Sequence, residues 1–437
     1  MSRRRLPALL GCAAALFGLV LLGLARQRRD DIDGFVIVAM TQGVVYLLSV
    51  GLVWNAGRSR GALTMILAVA ALLRLPVLVA PPYLSTDIYR YVWDGRVEAA
   101  GINPYRYIPL DPHLEKLRDP RIFPRINRNN YAPTIYPPAA EAVFFLVTRI
   151  SESLIAMKAA MVVCEAVTIL LLLRLLGAAG LPSQRIIVYA WHPLPIWEFA
   201  GSGHIDAAMI AFVVLALWGY RRGNRWLAGL ALAGATLVKL YPALLLPALY
   251  RRWDWRMPVA WADAVILAYL PFVGVGWRVL GFLPGYAHEE GFTASGAGFF
   301  PWSLLQTLPA FAALPALAYL AGAAAILAVL ALVVTFARKA DDHEFAGAAL
   351  LAAAFMFLLS PHYPWYFTWL IVFACFAPLL SLLWLTNASL LLYLVPVGSH
   401  LVRSDHRLLV EFAIYGPFVA LALLDLWRRR QPAARRK

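Results

Sequence analysis

The sequence predicts an all-α polytopic membrane protein, and three observations support that fold class. Its residues are 62% hydrophobic and only 14% charged, whereas soluble domains carry about a quarter charged residues. The apolar residues form long blocks such as 6–24 and 314–336, near the roughly 20 residues that a helix needs to cross a bilayer. The blocks lack strict alternation, which favours helices over a closed barrel.

The first block, 6–24, follows Arg3–Arg5, as the core of a secretory signal would. Its apolar run exceeds the roughly 7–15 residues of a usual signal core, and other spans follow it. We therefore predict an uncleaved first helix, with further spans at 35–54 and 62–80.

The middle of the chain predicts spans at 155–176, 186–200 and 206–220. Arginines bound the next segment, 226–250, on both sides, so it is either a hairpin of two short helices or one helix that breaks the charge rule. Pro242 and Pro247 interrupt it and favour the hairpin. The piece 139–150 is too short to span comfortably, and its depth stays open.

The last blocks predict spans at 257–277, 314–336, 345–360, 367–385, 386–402 and 408–427. With the earlier blocks they give a single integral domain over residues 1–437, a bundle of about 12–14 transmembrane helices by span length. The three cysteines, Cys12, Cys164 and Cys375, fall inside apolar blocks without disulfide or metal-site spacing.

Basic residues cluster beside the ends of these blocks, which predicts the orientation. The clusters are Arg3–Arg5, Arg221–Arg225, Arg251–Arg256, Arg338–Lys339 and Arg428–Lys437. Short loops rich in Lys and Arg stay in the cytoplasm, so we expect both termini there and the loop after residue 80 on the outer face. The net charge of +15 therefore indicates membrane topology rather than nucleic-acid binding. The loop Arg26–Asp33 does not fit this pattern: it carries three arginines, yet the order of the predicted spans places it on the outer face.

The outer loop 81–138 differs from the rest of the chain in composition. It holds eight basic residues, six acidic residues and seven tyrosines. Long loops in compact proteins are usually functional, although its tyrosines also suit an interfacial aromatic belt. We expect this loop to carry amphipathic helices and the active site.

Asp87 and Asp94 lie seven residues apart in the stretch 86–100, which can form an amphipathic helix. This spacing places both carboxylates on one helical face, and Arg90 follows Asp87 by three residues. A partly desolvated carboxylate beside a cation suits a general base. The alternative is structural: Ser85, Thr86 or Asp87 could cap the helix, with Arg90 solvated.

Polar groups also lie at other predicted outer helix ends. They are His204, Asp206, Lys239, Tyr241 and His362. Ionisable residues at membrane depth are usually functional or paired. Lys239, at the tip of the proposed hairpin, could neutralise a phosphate or merely snorkel, and the histidines could instead make local hydrogen bonds.

Several motifs, taken in order, carry a family resemblance. They are Asp87-Ile-Tyr-Arg-Tyr-Val-Trp-Asp94-Gly-Arg96, Gly101-Ile-Asn-Pro-Tyr105, Thr134-Ile-Tyr-Pro-Pro138, Trp191-His-Pro, Gly203-His204-Ile-Asp206, Lys239-Leu-Tyr-Pro242 and Ser360-Pro-His-Tyr-Pro-Trp365-Tyr. With them the chain resembles the polyprenyl-phosphate-sugar-dependent glycosyltransferases of the C superfamily, particularly bacterial mannosyltransferases of the phosphatidylinositol-mannoside and lipomannan type. The first-loop motif is fairly specific, and the order of the others gives them weight.

The resemblance implies a multi-pass protein of the bacterial inner membrane with its active site facing outside. Asp87 matches the acidic residue that serves the family as catalytic base. It follows the third apolar span here, whereas in many relatives the acidic residue follows the first. The loop lacks an adjacent acidic pair, so the metal site of some relatives is not carried over. We expect no cofactor and assign no metal-ligating residues, and whether the reaction requires a divalent metal stays open.

The expected reaction is inverting transfer of a hexose, with mannose favoured, from a polyprenyl-phosphate sugar to a glycan or glycolipid acceptor. Asp87 would be the base, and Arg90, Arg96 and Lys239 would stabilise the lipid phosphate. The remaining substrate-binding candidates are Tyr89, Trp93, Asp94, His204, Asp206, Tyr241 and His362. The alternative is a transporter or flippase for a lipid-linked or anionic solute, with Asp87 as a proton relay.

Overall fold

The computed structural model describes residues 5–55, 57–293, 298–336, 343–395 and 407–430. Within these ranges every regular element is helical, which confirms the predicted all-α class. Seven helical stretches are long and apolar enough to cross a membrane: Arg5–Gln27, Ile32–Trp54, Arg60–Val79, Leu154–Ala178, Arg256–Glu289, Ala316–Phe336 and Arg407–Arg428. Shorter apolar helices are Arg225–Val238, Glu344–Leu359, Pro364–Ala374 and Leu380–Leu394. The count of spans beyond these seven stays a prediction.

The outer loop begins with the helix Asp87–Ala99, which we call the first-loop helix. It lies within the predicted stretch 86–100 and packs against a second helix, Pro138–Ile150. Tyr91 stacks on Phe144 with ring centroids 4.4 Å apart, and a Cβ at Gly95 would overlap the carbonyl group of Phe144. This close pairing fixes the first-loop helix and therefore the position of Asp87 at its start.

The segment after Asp206–Arg221 forms the predicted hairpin. Its first arm is the helix Arg225–Val238, and its return is built from Tyr241–Leu245 and Leu246–Leu249. Arg225 Nε lies 3.7 Å from Asp254 Oδ2, so the two ends of the segment meet. This contact confirms the hairpin and leaves Lys239 at its tip.

The predicted span 186–200 is wrong as a continuous helix. Residues 183–201 form short pieces, Ser183–Ile186, Ile187–Ala190, Pro193–Pro195 and Ile196–Gly201, the last a π-helix. The prolines Pro193 and Pro195 lack the N–H that a helix interior needs. At the break the N–H of Leu194 donates to His192 Nδ1, and this hydrogen bond satisfies a buried polar side chain.

The predicted boundary between the spans 367–385 and 386–402 is also wrong. The chain reverses earlier, between the helices Leu370–Ala374 and Leu380–Ala388, where Pro378 interrupts it. Phe376, in that turn, stacks on Phe345 at 4.0 Å and its carbonyl accepts from Arg185 at 3.2 Å. Residues 396–402 of the second predicted span lie outside the described residues.

Candidate functional site

A cavity of about 850 Å³ opens beneath the outer loop. Four parts of the chain form most of its wall: the outer loop, the hairpin tip 238–241, the segment 282–292 and the stretch 359–366; Phe299 and Phe355 also line it. Part of the third wall is the short helix Leu283–Glu289. We call residues 281–293 the cover segment, because they close the cavity against the outer loop.

Asp87 lies on the cavity wall as the first residue of the first-loop helix. Its carboxylate does not cap the helix; instead, its own N–H donates to Ser85 Oγ at 3.2 Å. Asn127 Nδ2 donates to Asp87 Oδ1 at 2.6 Å. Burial raises the pKa of the Asp87 carboxyl, and the Lys239 ammonium and the Asn127 hydrogen bond oppose that shift. The group is therefore a better proton acceptor than a fully solvated carboxylate.

His204 and Glu198 lie directly behind Asp87. His204 Nδ1 is 3.8 Å from Asp87 Oδ2, and His204 Nε2 is 3.5 Å from Glu198 Oε2. The imidazole stacks on the Trp365 ring with centroids 4.0 Å apart. Both His204 and Glu198 are fully buried, so this histidine faces side chains of the protein rather than the cavity.

Lys239 reaches the cavity from the hairpin tip and is paired there. Its Nζ lies 3.0 Å from Asp206 Oδ2 and 4.4 Å from the centre of the Tyr366 ring. Tyr241 donates to Asp206 Oδ1 at 3.2 Å. An ammonium has three donors, so a bound anion can still approach Lys239 from the cavity side.

The cover segment is tied to the rest of the cavity by polar contacts. Glu289 accepts from Arg128 at 2.7 Å and from Tyr131 at 2.9 Å. Glu290 Oε2 lies 3.2 Å from His362 Nδ1, and the hydroxyls of Tyr286 and Tyr366 are 2.6 Å apart. These contacts hold the cover segment against both the outer loop and the stretch 359–366.

The structure brings most of the predicted site residues together. Asp87, Arg90, Lys239, Tyr241 and His362 line the cavity, and His204 and Asp206 lie just behind it.

The other predicted residues lie away from the cavity wall. Both carboxylate oxygens of Asp94 accept from Arg90 Nε, at 2.8 and 2.9 Å, so the Arg90 guanidinium is paired within the outer loop. Arg96 pairs with Asp119 and with Glu152. The remaining two are Tyr89, whose ring lies under Arg125, and Trp93, which packs on Phe123. These four side chains therefore pack within the outer loop, and their contact with substrate stays a prediction.

Sequence reasoning missed several cavity residues. They are Asn127, Arg128, Tyr131, Tyr286, Glu289, Glu290 and Tyr366. One signal was available: Glu289 and Glu290 form an adjacent acidic pair later in the chain. No group of three or more His, Cys, Asp or Glu suited to a metal ion occurs among the described residues.

Comparison with known proteins places the sequence in a family. A family model described as "Alpha-(1->6)-mannopyranosyltransferase, N-terminal domain" matches residues 7–254, more than half of the chain. The matched part contains Asp87, Asn127, His204, Asp206 and Lys239, whereas the cover segment and His362 follow it. No curated protein and no solved structure matches the chain.

Proposed function

The chain belongs to the alpha-(1->6)-mannopyranosyltransferase family, and on that premise we propose that it transfers mannose from a polyprenyl-phosphate sugar to a glycan or glycolipid acceptor. The family assignment decides between the two functions that the sequence left open, an enzyme or a transporter: the chain is a membrane glycosyltransferase. The lipid-linked donor, inversion at the anomeric carbon and an outer-face acceptor belong to the proposal.

The environment of Asp87 is the observation that supports the proposal most directly. The two other carboxylates on the cavity wall contact basic side chains, Glu289 with Arg128 and Glu290 with His362. Asp87 accepts its hydrogen bond from the neutral amide of Asn127, its contact with His204 is longer, at 3.8 Å, and its side chain remains 20% exposed. A carboxylate with one oxygen held and the other available is suited to remove a proton from a hydroxyl.

The proposed reaction balances as a single displacement. The acceptor oxygen attacks the anomeric carbon as Asp87 takes its proton, and the bond from that carbon to the phosphate oxygen breaks. Attack from the face opposite the phosphate inverts the configuration. Lys239 and Arg128 approach the cavity as cations and stabilise the departing lipid phosphate by charge-assisted hydrogen bonds. Arg90 also lies on the cavity wall, where it pairs with Asp94, and its contact with the donor phosphate stays a prediction.

The first prediction is that Asp87→Asn lowers turnover by at least about 100-fold while the protein still folds, because loss of a general base costs that much or more. Transfer from polyprenyl-phosphate mannose to a mannoside acceptor by purified enzyme measures it, with and without a chelator. Glu115→Gln is the matched control, since Glu115 is an exposed carboxylate of the same loop. Turnover by Asp87→Asn equal to that of the control would overturn the assignment of the base.

A further inference from the structure

Three polar groups form a row behind the cavity: the Asp87 carboxylate, the His204 imidazole and the Glu198 carboxyl. Asp87 Oδ1 accepts from Asn127, and Asp87 Oδ2 lies 3.8 Å from His204 Nδ1. On the other side of the ring, His204 Nε2 lies 3.5 Å from Glu198 Oε2, while Glu198 Oε1 accepts from the Tyr393 hydroxyl at 2.8 Å. Each ring nitrogen therefore faces one carboxyl oxygen.

The local backbone presents the Glu198 and His204 side chains to each other. Glu198 belongs to the π-helix Ile196–Gly201, and single π turns occur frequently at functional sites. The chain leaves that turn through Gly203, whose φ of +76° few other residues adopt. The N–H of His204 donates to the Glu198 carbonyl at 2.9 Å. Their approach is therefore set by one turn of the chain rather than by a contact between separate helices.

The atoms that face each other inside the protein lack hydrogen bonds. Among the described residues, both ring nitrogens of His204 and Glu198 Oε2 are buried without a hydrogen-bond partner, although buried polar groups are usually paired. The gaps of 3.8 and 3.5 Å need shortening by less than about 1 Å to become hydrogen bonds, and catalytic hydrogen bonds often tighten only when substrate binds. The positions of the protons decide which hydrogen bonds the row can form.

Glu198 lacks the surroundings of an ionised carboxylate. It is fully buried, and among the described residues its polar side-chain contacts are His204 and the Tyr393 hydroxyl. Asp206, which also acts on it, is itself an anion. A buried carboxyl without a strong cation beside it keeps its proton, because an isolated buried charge is highly unfavourable. Glu198 is therefore a neutral carboxylic acid with one oxygen that accepts and one that donates.

Asp87 and His204 differ from Glu198 in the charges around them. Asp87 is 20% exposed and lies near the cations Lys239 and Arg128, which favour its ionised form. Burial and the Lys239 ammonium both disfavour a positive charge on His204, so the imidazole is neutral and has one N–H. Other titratable groups near Asp87 are Asp206, Tyr91, Tyr136, Tyr363, Tyr366 and Tyr393. One nitrogen of the His204 ring therefore donates and the other accepts.

We infer that Glu198 is a positioning residue: its carboxyl O–H donates to His204 Nε2 and thereby keeps the imidazole proton on Nδ1, which donates to Asp87 Oδ2. The inference rests on the proposed function, in which Asp87 is the base. The base is then held by one donor on each oxygen, Asn127 and His204. No proton moves along the row. A carboxylate accepts at about four positions, so Asp87 still takes the proton of the acceptor hydroxyl and releases it into the cavity.

Two neutral substitutions of similar size separate donation from packing. Glu198→Gln keeps an N–H donor for His204, so kcat should stay within about threefold of the wild type. Glu198→Met removes the donor and should lower kcat about tenfold, as for a lost charge-assisted hydrogen bond. Because a hydrogen bond to a carboxylate favours its ionised form, the acid limb of kcat/KM in Glu198→Met should also move to higher pH, by about half a unit or more.

The matched control for these kinetics is Glu344→Met. It replaces another buried carboxylate, which pairs with Arg221 away from the cavity wall. The acid limb of this variant should keep its wild-type position, because no donor to Asp87 is lost. An equal shift in Glu344→Met, or a shift in Glu198→Gln as large as that in Glu198→Met, would contradict the positioning role.

A spectroscopic measurement tests the tautomer of His204 directly and requires no transfer. Nitrogen NMR of the substrate-free protein with isotope-labelled histidine distinguishes protonated from unprotonated ring nitrogens, and the His204 signals are assigned by their loss in His204→Asn. The proton should reside on Nδ1 in the wild type and in Glu198→Gln. Protonation at Nε2, alone or together with Nδ1, would overturn the inference even if transfer is observed. Protonation at Nδ1 alone, without transfer by the wild type, would instead overturn the proposed reaction.

Discussion

Lys239 ends the first arm of the hairpin with an extended backbone, φ −145° and ψ 139°. That conformation leaves its side chain at the hairpin tip, where Asp206 holds the ammonium and the Tyr366 ring lies beneath it. Asp206 is fully buried, and a buried carboxylate requires a partner. One residue therefore has two candidate roles, neutralising Asp206 and contacting the donor phosphate.

A double substitution distinguishes these roles. Lys239→Ala should reduce kcat/KM for the donor about tenfold or more, as expected for a lost charge-assisted hydrogen bond, with the acceptor Michaelis constant nearly unchanged. Adding Asp206→Asn removes the unpaired carboxylate and should restore thermal stability but not donor use. Steady-state kinetics and thermal unfolding in detergent measure both effects. Recovery of donor use in the double variant would show that Lys239 serves Asp206 alone.

At the scale of elements, the cover segment depends on one glycine. Gly281 has φ +57° and ψ −139°, a conformation open almost solely to glycine. A Cβ there would overlap the carbonyl oxygen of Thr134, the same oxygen that accepts from the N–H of Phe282 at 2.9 Å. The close approach attaches the cover segment to the outer loop and so completes the cavity.

Gly281→Ala should therefore displace the cover segment. We expect kcat/KM to fall about tenfold, because backbone strain of this kind amounts to about 1–3 kcal/mol. Gly274→Ala is the matched control: it lies in the same helical stretch, and its added Cβ meets nothing within 4 Å. Transfer assays on both variants measure the difference. Equal activity of the two would show that cavity closure does not depend on this contact.

At the scale of the molecule, contacts join the predicted inner loops to one another. Arg5 donates to the Leu52 carbonyl, and Arg185 lies over the Trp54 ring. Further contacts at this end include Arg58 with Gly180, Arg185 with Phe376, Phe376 with Phe345, Arg221 with Glu344 and Arg225 with Asp254. Helix direction places the cavity at the other end of the bundle, and from the positive-inside pattern we predict that this end faces outside.

Cysteine labelling tests that orientation. On a background without Cys12, Cys164 and Cys375, a membrane-impermeant maleimide should label Leu110→Cys in intact cells. It should label Arg222→Cys, Arg252→Cys and Arg435→Cys only after permeabilisation, because these positions lie in arginine clusters. Position 435 is beyond the described residues. Labelling of Arg222→Cys in intact cells would reverse the orientation and the side on which the reaction occurs.

The amino-acid sequence was sufficient to predict the all-α class, the long apolar helices, the hairpin and the place of Asp87 at the start of the first-loop helix. These features depend on local quantities: the length of apolar runs, charge beside them, and helical spacing. The breaks near Pro193 and Pro378 had a local signal as well, since proline interrupts a helix, but long apolar runs concealed it.

Which polar groups meet could not be predicted from the sequence, because it depends on contacts between distant parts of the chain. Arg128 and Glu289 are separated by 161 positions and Tyr393 and Glu198 by 195, and no local pattern specifies such pairs. Residues of the first-loop motif also have different surroundings in the structure: Asp87 lines the cavity, whereas Arg96 pairs with Asp119 and Glu152. The physical reason is that burial and pairing depend on the packing of whole helices, whereas a sequence motif fixes only which side chains are available.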